Sequence, residues 1–144
     1  MGAPNSVIQP LQKVQNFAVR LILMAPRHHH LTLLLEKLHW LPISERIKYK
    51  VACMCFHAIN GSGPTYLSEL GHIYSPSCTL RSSLDFCMLK IQQYKRKTHG
   101  FPSFTYFGPY VWNSFLQDIR QCSTLPSFKT KMKTFLFSQC FRSC

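Results

Sequence analysis

The sequence predicts a small, mainly α-helical domain, and three observations support this fold class. Its 144 residues are most simply one domain, because a chain of this length buries about two-thirds of its unfolded surface. The apolar fraction of 46% is ordinary for a globular protein. In several long segments, apolar residues recur at intervals of three and four, which is the spacing of one face of an α-helix.

In the first part of the chain, the sequence predicts a disordered lead-in at residues 1–9 followed by two helices. The first helix is expected to begin at Pro10, because a proline's missing N–H costs nothing in the first turn, and to end before Pro26. A second, short helix is expected to start at a Thr32 cap and to run to about Lys37. The apolar residues of the first helix are Leu11, Val14, Ala18, Leu21 and Ile22, with Lys13, Asn16 and Arg20 on the opposite face.

A third helix is predicted between a Ser44 cap and the Asn60-Gly61 pair, which favours the left-handed backbone at a helix end. One or two further helical turns are expected over residues 64–70. The apolar stripe of the third helix, at spacings of four, three and four, is Ile47, Val51, Met54 and Ala58.

The second half of the chain mixes aromatic and basic residues. A short β-hairpin is predicted near residues 86–99, with strands over 86–91 and 95–99. Residues 101–115 are expected to form two short helices that meet at Gly108-Pro109. A last amphipathic helix follows Pro126 and has Phe128, Met132, Phe135 and Leu136 on one face. The helical domain is thus predicted over residues 10–138, followed by a flexible tail at 139–144.

The charge predicts the class of partner. Seventeen Lys and Arg against five Asp and Glu give a net charge of +12. RNA or DNA is the expected ligand, since each neutralised phosphate releases condensed counterions. A basic surface with no ligand is the alternative. The densest basic cluster with an interleaved aromatic is the predicted nucleic-acid-binding site, and it consists of Lys90, Tyr94, Lys95, Arg96 and Lys97.

No catalytic, metal or cofactor site is predicted, and we expect the chain alone not to be an enzyme. Two-metal phosphoryl transfer needs carboxylates that converge on ions about 4 Å apart. The five acids are nine or more positions apart. Cys53-x-Cys55-x-His57 is a poor metal motif, because helical donors two residues apart are separated by about 200°. The five acids are Glu36, Glu45, Glu69, Asp85 and Asp118.

Cysteine usage and hydropathy predict the compartment. The seven cysteines are odd in number and irregular in spacing, which favours reduced thiols over a disulfide framework. There is no apolar run of 18 residues and no charged segment followed by an apolar one at the N-terminus. We therefore expect a cytoplasmic or nuclear protein that is not secreted and has no membrane partner.

Four blocks, at residues 11–21, 35–60, 64–67 with 79–83, and 98–133, have the order and spacing of one family. They include the corner Trp40-Leu41-Pro42 and the motif Gly108-Pro109-x2-Trp112-Asn113-Ser114. Together they resemble the C-terminal region of non-LTR (LINE-type, CR1/L2-like or jockey-like) retrotransposon reverse transcriptases. Trp40 and Trp112 are expected to be packing residues.

The resemblance implies a noncatalytic fragment that binds RNA or DNA weakly and without sequence preference. In that family the polymerase core and the endonuclease lie upstream, and no catalytic residue of theirs corresponds to a position here. A polymerase core missing from this chain is then a second expected partner. A structural or interaction module, or a functionless retroelement remnant, is the alternative. The family often has Ala at the position of Gly108 and Arg-Ala at Pro102-Ser103, which predicts a weakened helix near 101–108.

Overall fold

The computed structural model describes residues 4–70, 72–74, 87–92 and 103–141, and within these ranges the protein is mainly helical, as predicted. The only β-structure among the described residues is a single antiparallel bridge between Ile73 and Leu89. The helices are α1 (Asn5–Ile22), α2 (Leu31–Lys37), α3 (Ile43–Ile59), α4 (Thr65–Leu70), α5 (Phe104–Asn113), α6 (Gln117–Arg120) and α7 (Leu125–Phe141).

Helix α3 is the centre of the fold and contacts α1, α4, α5 and α7. Because neighbours pack on several sides of it, its buried residues do not form one stripe. The stripe predicted from spacing is therefore wrong in part, since Met54 is 44% exposed and Ile47 and Val51 are half-buried. The buried residues of α3 are Ala52, Cys53, Cys55, Phe56 and Ala58.

Helix α7 begins at Leu125, so the start predicted after Pro126 is wrong, but it buries three of the four residues of the predicted apolar face and half-buries the fourth, Phe135. The ring of Phe128 stacks 4.7 Å from that of Phe56 and 5.6 Å from that of Trp112. Phe128, Met132 and Leu136 are all buried. Since α7 continues to Phe141, the flexible tail predicted from residue 139 is wrong for residues 139–141.

Helix α5 runs without a break through Gly108-Pro109, so the prediction of two helices meeting there is wrong. A residue before proline normally avoids the helical region because its Cβ crowds the proline ring. Gly108 has no Cβ, so this restriction is relaxed. Gly108 also allows close packing on α3, since a Cβ built there would lie 3.2 Å from the Sγ of Cys55.

Helix α1 begins at Asn5, so the lead-in predicted at residues 1–9 and the start predicted at Pro10 are wrong for residues 5–9. The carbonyl of Pro4 accepts the N–H groups of Val7 and Ile8, at 3.0 and 3.2 Å. Ile8 is buried. Its burial and the rest of the 18-residue helix offset the hydrogen bond that Pro10 cannot make.

Helix α1 is amphipathic, but its apolar face points away from the core. Gln15 and Val19 are buried on the inner face instead. Six large apolar residues of α1 are 50–69% exposed, and we call five of them, all except the last residue Ile22, the α1 stripe. The α1 stripe consists of Val7, Leu11, Val14, Phe17 and Leu21.

The inner face of α1 binds the corner before α3 through two glutamines. The Nε2 of Gln15 donates to the carbonyl of Leu41 at 2.9 Å, and the Oε1 of Gln12 accepts the N–H of Ile43 at 2.9 Å. Gln12 therefore satisfies a first-turn amide of α3, which otherwise has no partner within its own helix. The predicted Ser44 cap is wrong, because α3 already begins at Ile43.

Three helices are followed, within two residues of their last turn, by a residue whose backbone is in the left-handed conformation. The residues are Met24 after α1, His39 after α2 and Gly61 after α3, at φ values of 47°, 52° and 62°. In α2 the N–H groups of His39 and Trp40 return to carbonyls of the last turn, as in a Schellman motif. The Asn60-Gly61 prediction is confirmed. The Thr32 cap is wrong, because α2 begins at Leu31.

The end of α5 holds residues 87–90, which begin with a left-handed turn at Cys87 (φ 62°). The indole Nε1 of Trp112 donates to the carbonyl of Cys87 at 2.7 Å. The side-chain amide of Asn113 bonds both backbone groups of Leu89, at 2.8 and 2.9 Å. The strand predicted over 86–91 is reduced to a single bridge at Leu89, which pairs with Ile73. Its predicted partner at 95–99 lies outside the described residues.

Candidate nucleic-acid interface

One residue of the predicted nucleic-acid-binding cluster lies in the described part of the structure. Lys90 is exposed, and its backbone N–H donates to the carbonyl of His72 at 2.8 Å. Its neighbour Leu89 is buried in the main core, so the backbone that carries Lys90 is well anchored. Tyr94, Lys95, Arg96 and Lys97 lie outside the described residues.

A second basic site, not predicted from the sequence, lies between the corner after α2, the first half of α3 and the middle of α7. It is a cleft of about 430 Å³, which we call the basic cleft. Its lining combines positive charge with aromatic rings, and no acidic side chain is among the lining residues that the structure describes. The lining residues are His39, Trp40, Leu41, Arg46, Tyr49, Lys50 and Lys133.

Helix α3 contributes two of the three cations of the basic cleft. Arg46 and Lys50 are four positions apart and therefore lie on the same side of the helix. The side chain of Glu45 points to another side of α3. There its Oε1 forms a salt bridge with the Nζ of Lys48, at 2.8 Å. That pair is the sole salt bridge in the described ranges, so neither Arg46 nor Lys50 forms a salt bridge there.

Helix α7 contributes the third cation, Lys133, and places another nearby. Lys129 precedes it by four residues and acts electrostatically on Cys53 of α3, as does Lys50. Positive charge from two separate helices thus converges on one side of the α3–α7 pair. Such convergence raises the local potential far above that of a single exposed lysine.

The aromatic part of the basic cleft is held in place by the fold. The left-handed backbone of His39 turns the chain sharply at the end of α2. Trp40 is half-buried and packs against the small cluster around Leu34 and Leu35. Tyr49 is also half-buried, and burial, followed by the nearby thiol of Cys53, raises its pKa. Both rings are therefore anchored on one side and reachable on the other.

Chemically, this arrangement suits a phosphate-bearing chain. Arg and Lys side chains hold phosphates by charge and hydrogen bonds without reading sequence. A half-exposed aromatic ring offers a stacking surface to any base. The basic cleft therefore offers cations for the phosphates of a nucleic acid and aromatic rings for its bases.

The two buried thiols of α3 are protonated at neutral pH. Burial raises the pKa of the Cys55 thiol from its ordinary value of 9.0 to about 12. Burial also raises the pKa of Cys53, an effect that Lys129 partly offsets. Because the thiolate is the reactive form and the metal ligand, neither cysteine is activated for chemistry at pH 7.

The three possible metal ligands of the Cys53-x-Cys55-x-His57 motif do not converge on one site. Cys53 and Cys55 are buried in the core, whereas the Nδ1 of His57 lies 2.9 Å from the hydroxyl of Ser62. Within the described ranges, no group of three or more His, Cys, Asp or Glu side chains is placed to hold a metal ion.

Sequence reasoning missed the basic cleft although its signals were present. Arg46 and Lys50 are spaced for one face of a helix, and so are Lys129 and Lys133. What the spacing cannot show is that α3 and α7 pack side by side. Trp112 is the packing residue that was predicted, at 1% exposure, whereas Trp40 packs on one side and lines the basic cleft on the other.

Comparisons with protein-family models, with curated proteins and with solved structures find no match to this chain. In the described part of the chain, the helices are too short or too polar to cross a lipid bilayer.

Proposed function

We propose that this chain is a noncatalytic module that binds single strands of RNA or DNA through their phosphates, without sequence preference. The observation that supports the proposal is the basic cleft, which joins cations from α3 and α7 to the rings of Trp40 and Tyr49. The cluster predicted from the sequence, Lys90, Tyr94, Lys95, Arg96 and Lys97, is a second candidate for phosphate contact.

The net charge of +12 supports the same function. A protein with this excess repels itself unless a polyanion or salt screens it. Binding to a single strand should weaken with salt, with a slope of about −0.7 per phosphate neutralised. Three cations of the basic cleft would then account for a slope of about −2.

The experiment is a salt titration of binding to a fluorescent, mixed-sequence, single-stranded RNA. The cleft variant Arg46→Gln/Lys50→Gln/Lys133→Gln should bind more weakly, and its salt slope should be shallower by about 2. The cluster variant Lys90→Ala/Lys95→Ala/Arg96→Ala/Lys97→Ala removes four cations and should make the slope shallower by about 3.

The matched control removes three other exposed cations, Lys13, Arg27 and Lys37, as glutamines. None of them lines the basic cleft, so the control changes the net charge as much as the cleft variant does. Equal losses in both variants would mean diffuse attraction to the whole surface and no dedicated site. No binding by the wild-type chain at low salt would refute the function itself.

We also propose that the chain derives from the C-terminal region of a non-LTR retrotransposon reverse transcriptase. The support is the order of its four sequence blocks. In the fourth block, Trp112 and Asn113 hold residues 87–90, which gives that motif a physical role. Sequencing upstream of the locus tests the origin, since a reading frame for a polymerase palm, even degraded, is expected there.

A second candidate function is an interaction module, and one observation favours it. The α1 stripe exposes five large apolar side chains on a single helix. Contiguous apolar surface of this kind is typical of a face that binds another protein.

A further inference from the structure

The α1 stripe has the spacing of a helix that pairs with another helix. Val7, Val14 and Leu21 are separated by seven residues, and Phe17 follows Val14 by three. These are a and d positions of a heptad repeat, in which apolar residues face a partner helix; the other d position within α1 is the exposed Pro10. Leu11 broadens the same face. The polar groups of Gln12 and Gln15 are engaged on the other side of α1, so the stripe is free to face outward.

The size of the α1 stripe is that of a minimal association surface. With exposed fractions of 50–69%, its five side chains present roughly 500 Å², which is near the largest apolar patch that monomers usually carry. Two such surfaces in contact would remove about 1,000 Å² from water, which is the lower limit for specific association.

We propose that the α1 stripe is a self-association surface on which a second copy of this chain packs through its own α1. A two-fold pair requires a patch that is complementary to itself, and a purely apolar stripe meets that requirement whereas a charged patch does not. The inference goes beyond nucleic-acid binding, because no residue of the α1 stripe lines the basic cleft.

The charge of the chain determines how such a dimer responds to salt. Two copies at +12 each repel one another, so salt that screens this repulsion should tighten the dimer. Nucleic-acid binding should respond in the opposite direction and weaken with salt. The sign of the salt effect therefore separates the two properties in one protein sample.

The test is sedimentation velocity of the full chain at about 1–100 µM, at low and at high NaCl. The wild type should pass from monomer to dimer in this range, at a lower concentration in high salt. Phe17→Glu should raise the dimer dissociation constant at least about tenfold, because it places a charge at the centre of an apolar contact. Gln9→Glu is the matched control, since Gln9 is an exposed residue of α1 outside the stripe.

Three results would overturn the proposal. A wild type that stays monomeric at every concentration and salt would show that no second copy binds. Equal dimer formation by Phe17→Glu and by wild type would place the contact on another surface. At concentrations where all proteins are monomers, a lower melting temperature for Phe17→Glu than for wild type, with no change for Gln9→Glu, would show that residues of the same chain cover the stripe. Phe17→Glu should keep its RNA affinity, so that failure here leaves the binding proposal standing.

Discussion

Helices α1 and α7 are similar in length, at 18 and 17 residues, yet they join the fold through different kinds of surface. Helix α7 turns Phe128, Met132 and Leu136 into the core, where aromatic rings stack on one another. Helix α1 buries Ile8 and Val19, turns two glutamines inward to bind the backbone of the corner before α3, and leaves most of its large apolar side chains exposed.

The difference shows that an apolar stripe does not by itself decide which face of a helix is buried. Leu41 is buried at 6% exposure, and its carbonyl must have a hydrogen-bond partner. The amide of Gln15 supplies it at 2.9 Å. A buried carbonyl without a partner costs about 1–3 kcal/mol, which is comparable to the gain from burying one apolar side chain.

The largest expected effect is on the α7 side. Phe128→Ala should lower the free energy of unfolding by about 3–5 kcal/mol, because Phe128 is fully buried between two rings. Phe17→Ala on α1 removes the same atoms from an exposed position. It should change the free energy of unfolding by less than about 0.5 kcal/mol. Urea unfolding at low protein concentration, where dimers do not contribute, measures both. Equal losses would contradict the contrast between the two helices.

The exclusion of water from the main core can be measured through Cys55. Its pKa is about 12 in the folded protein, so between pH 9 and 12 the unfolded chain releases a proton that the folded chain retains. Stability is unaffected below pH 9 and should fall by at most about 1.4 kcal/mol per pH unit above it.

Urea unfolding from pH 8 to 11 of wild type and Cys55→Ala tests this dependence on pH. The alanine variant will be less stable throughout, because it lacks a buried side chain. The difference between the two proteins should shrink as the pH rises above 9. A difference that stays constant would mean that water reaches the thiol.

How much of this could be predicted from the sequence depends on what each feature requires. The inward face of α7 and the stop at Gly61 are local properties, and both were predicted correctly. The orientation of α1 depends on where the Leu41 carbonyl lies, which is a tertiary fact. The basic cleft depends on α3 and α7 being neighbours. Spacing along one helix defines its faces, but it does not identify what each face will meet.

The inner face of α1 can be tested with an apolar residue of the same shape. Gln15→Met keeps the size of the side chain but leaves the Leu41 carbonyl without its donor, so we expect a loss of about 1–3 kcal/mol. Gln9→Met, at an exposed position of the same helix, is the control and should be nearly neutral. If Gln15→Met stabilised the protein, apolar burial would be the dominant force on this face as well.

The smallest expected effect concerns the backbone at the end of α1. Met24 has a φ of 47°, and its side chain is 87% exposed. The strain of its left-handed backbone is therefore not offset by packing of the side chain. Met24→Gly should raise the free energy of unfolding by about 0.5–1 kcal/mol, because glycine adopts this conformation without strain. Met24→Ala keeps the strain and should show no gain. If both variants behaved alike, the left-handed turn at the end of α1 would not limit stability.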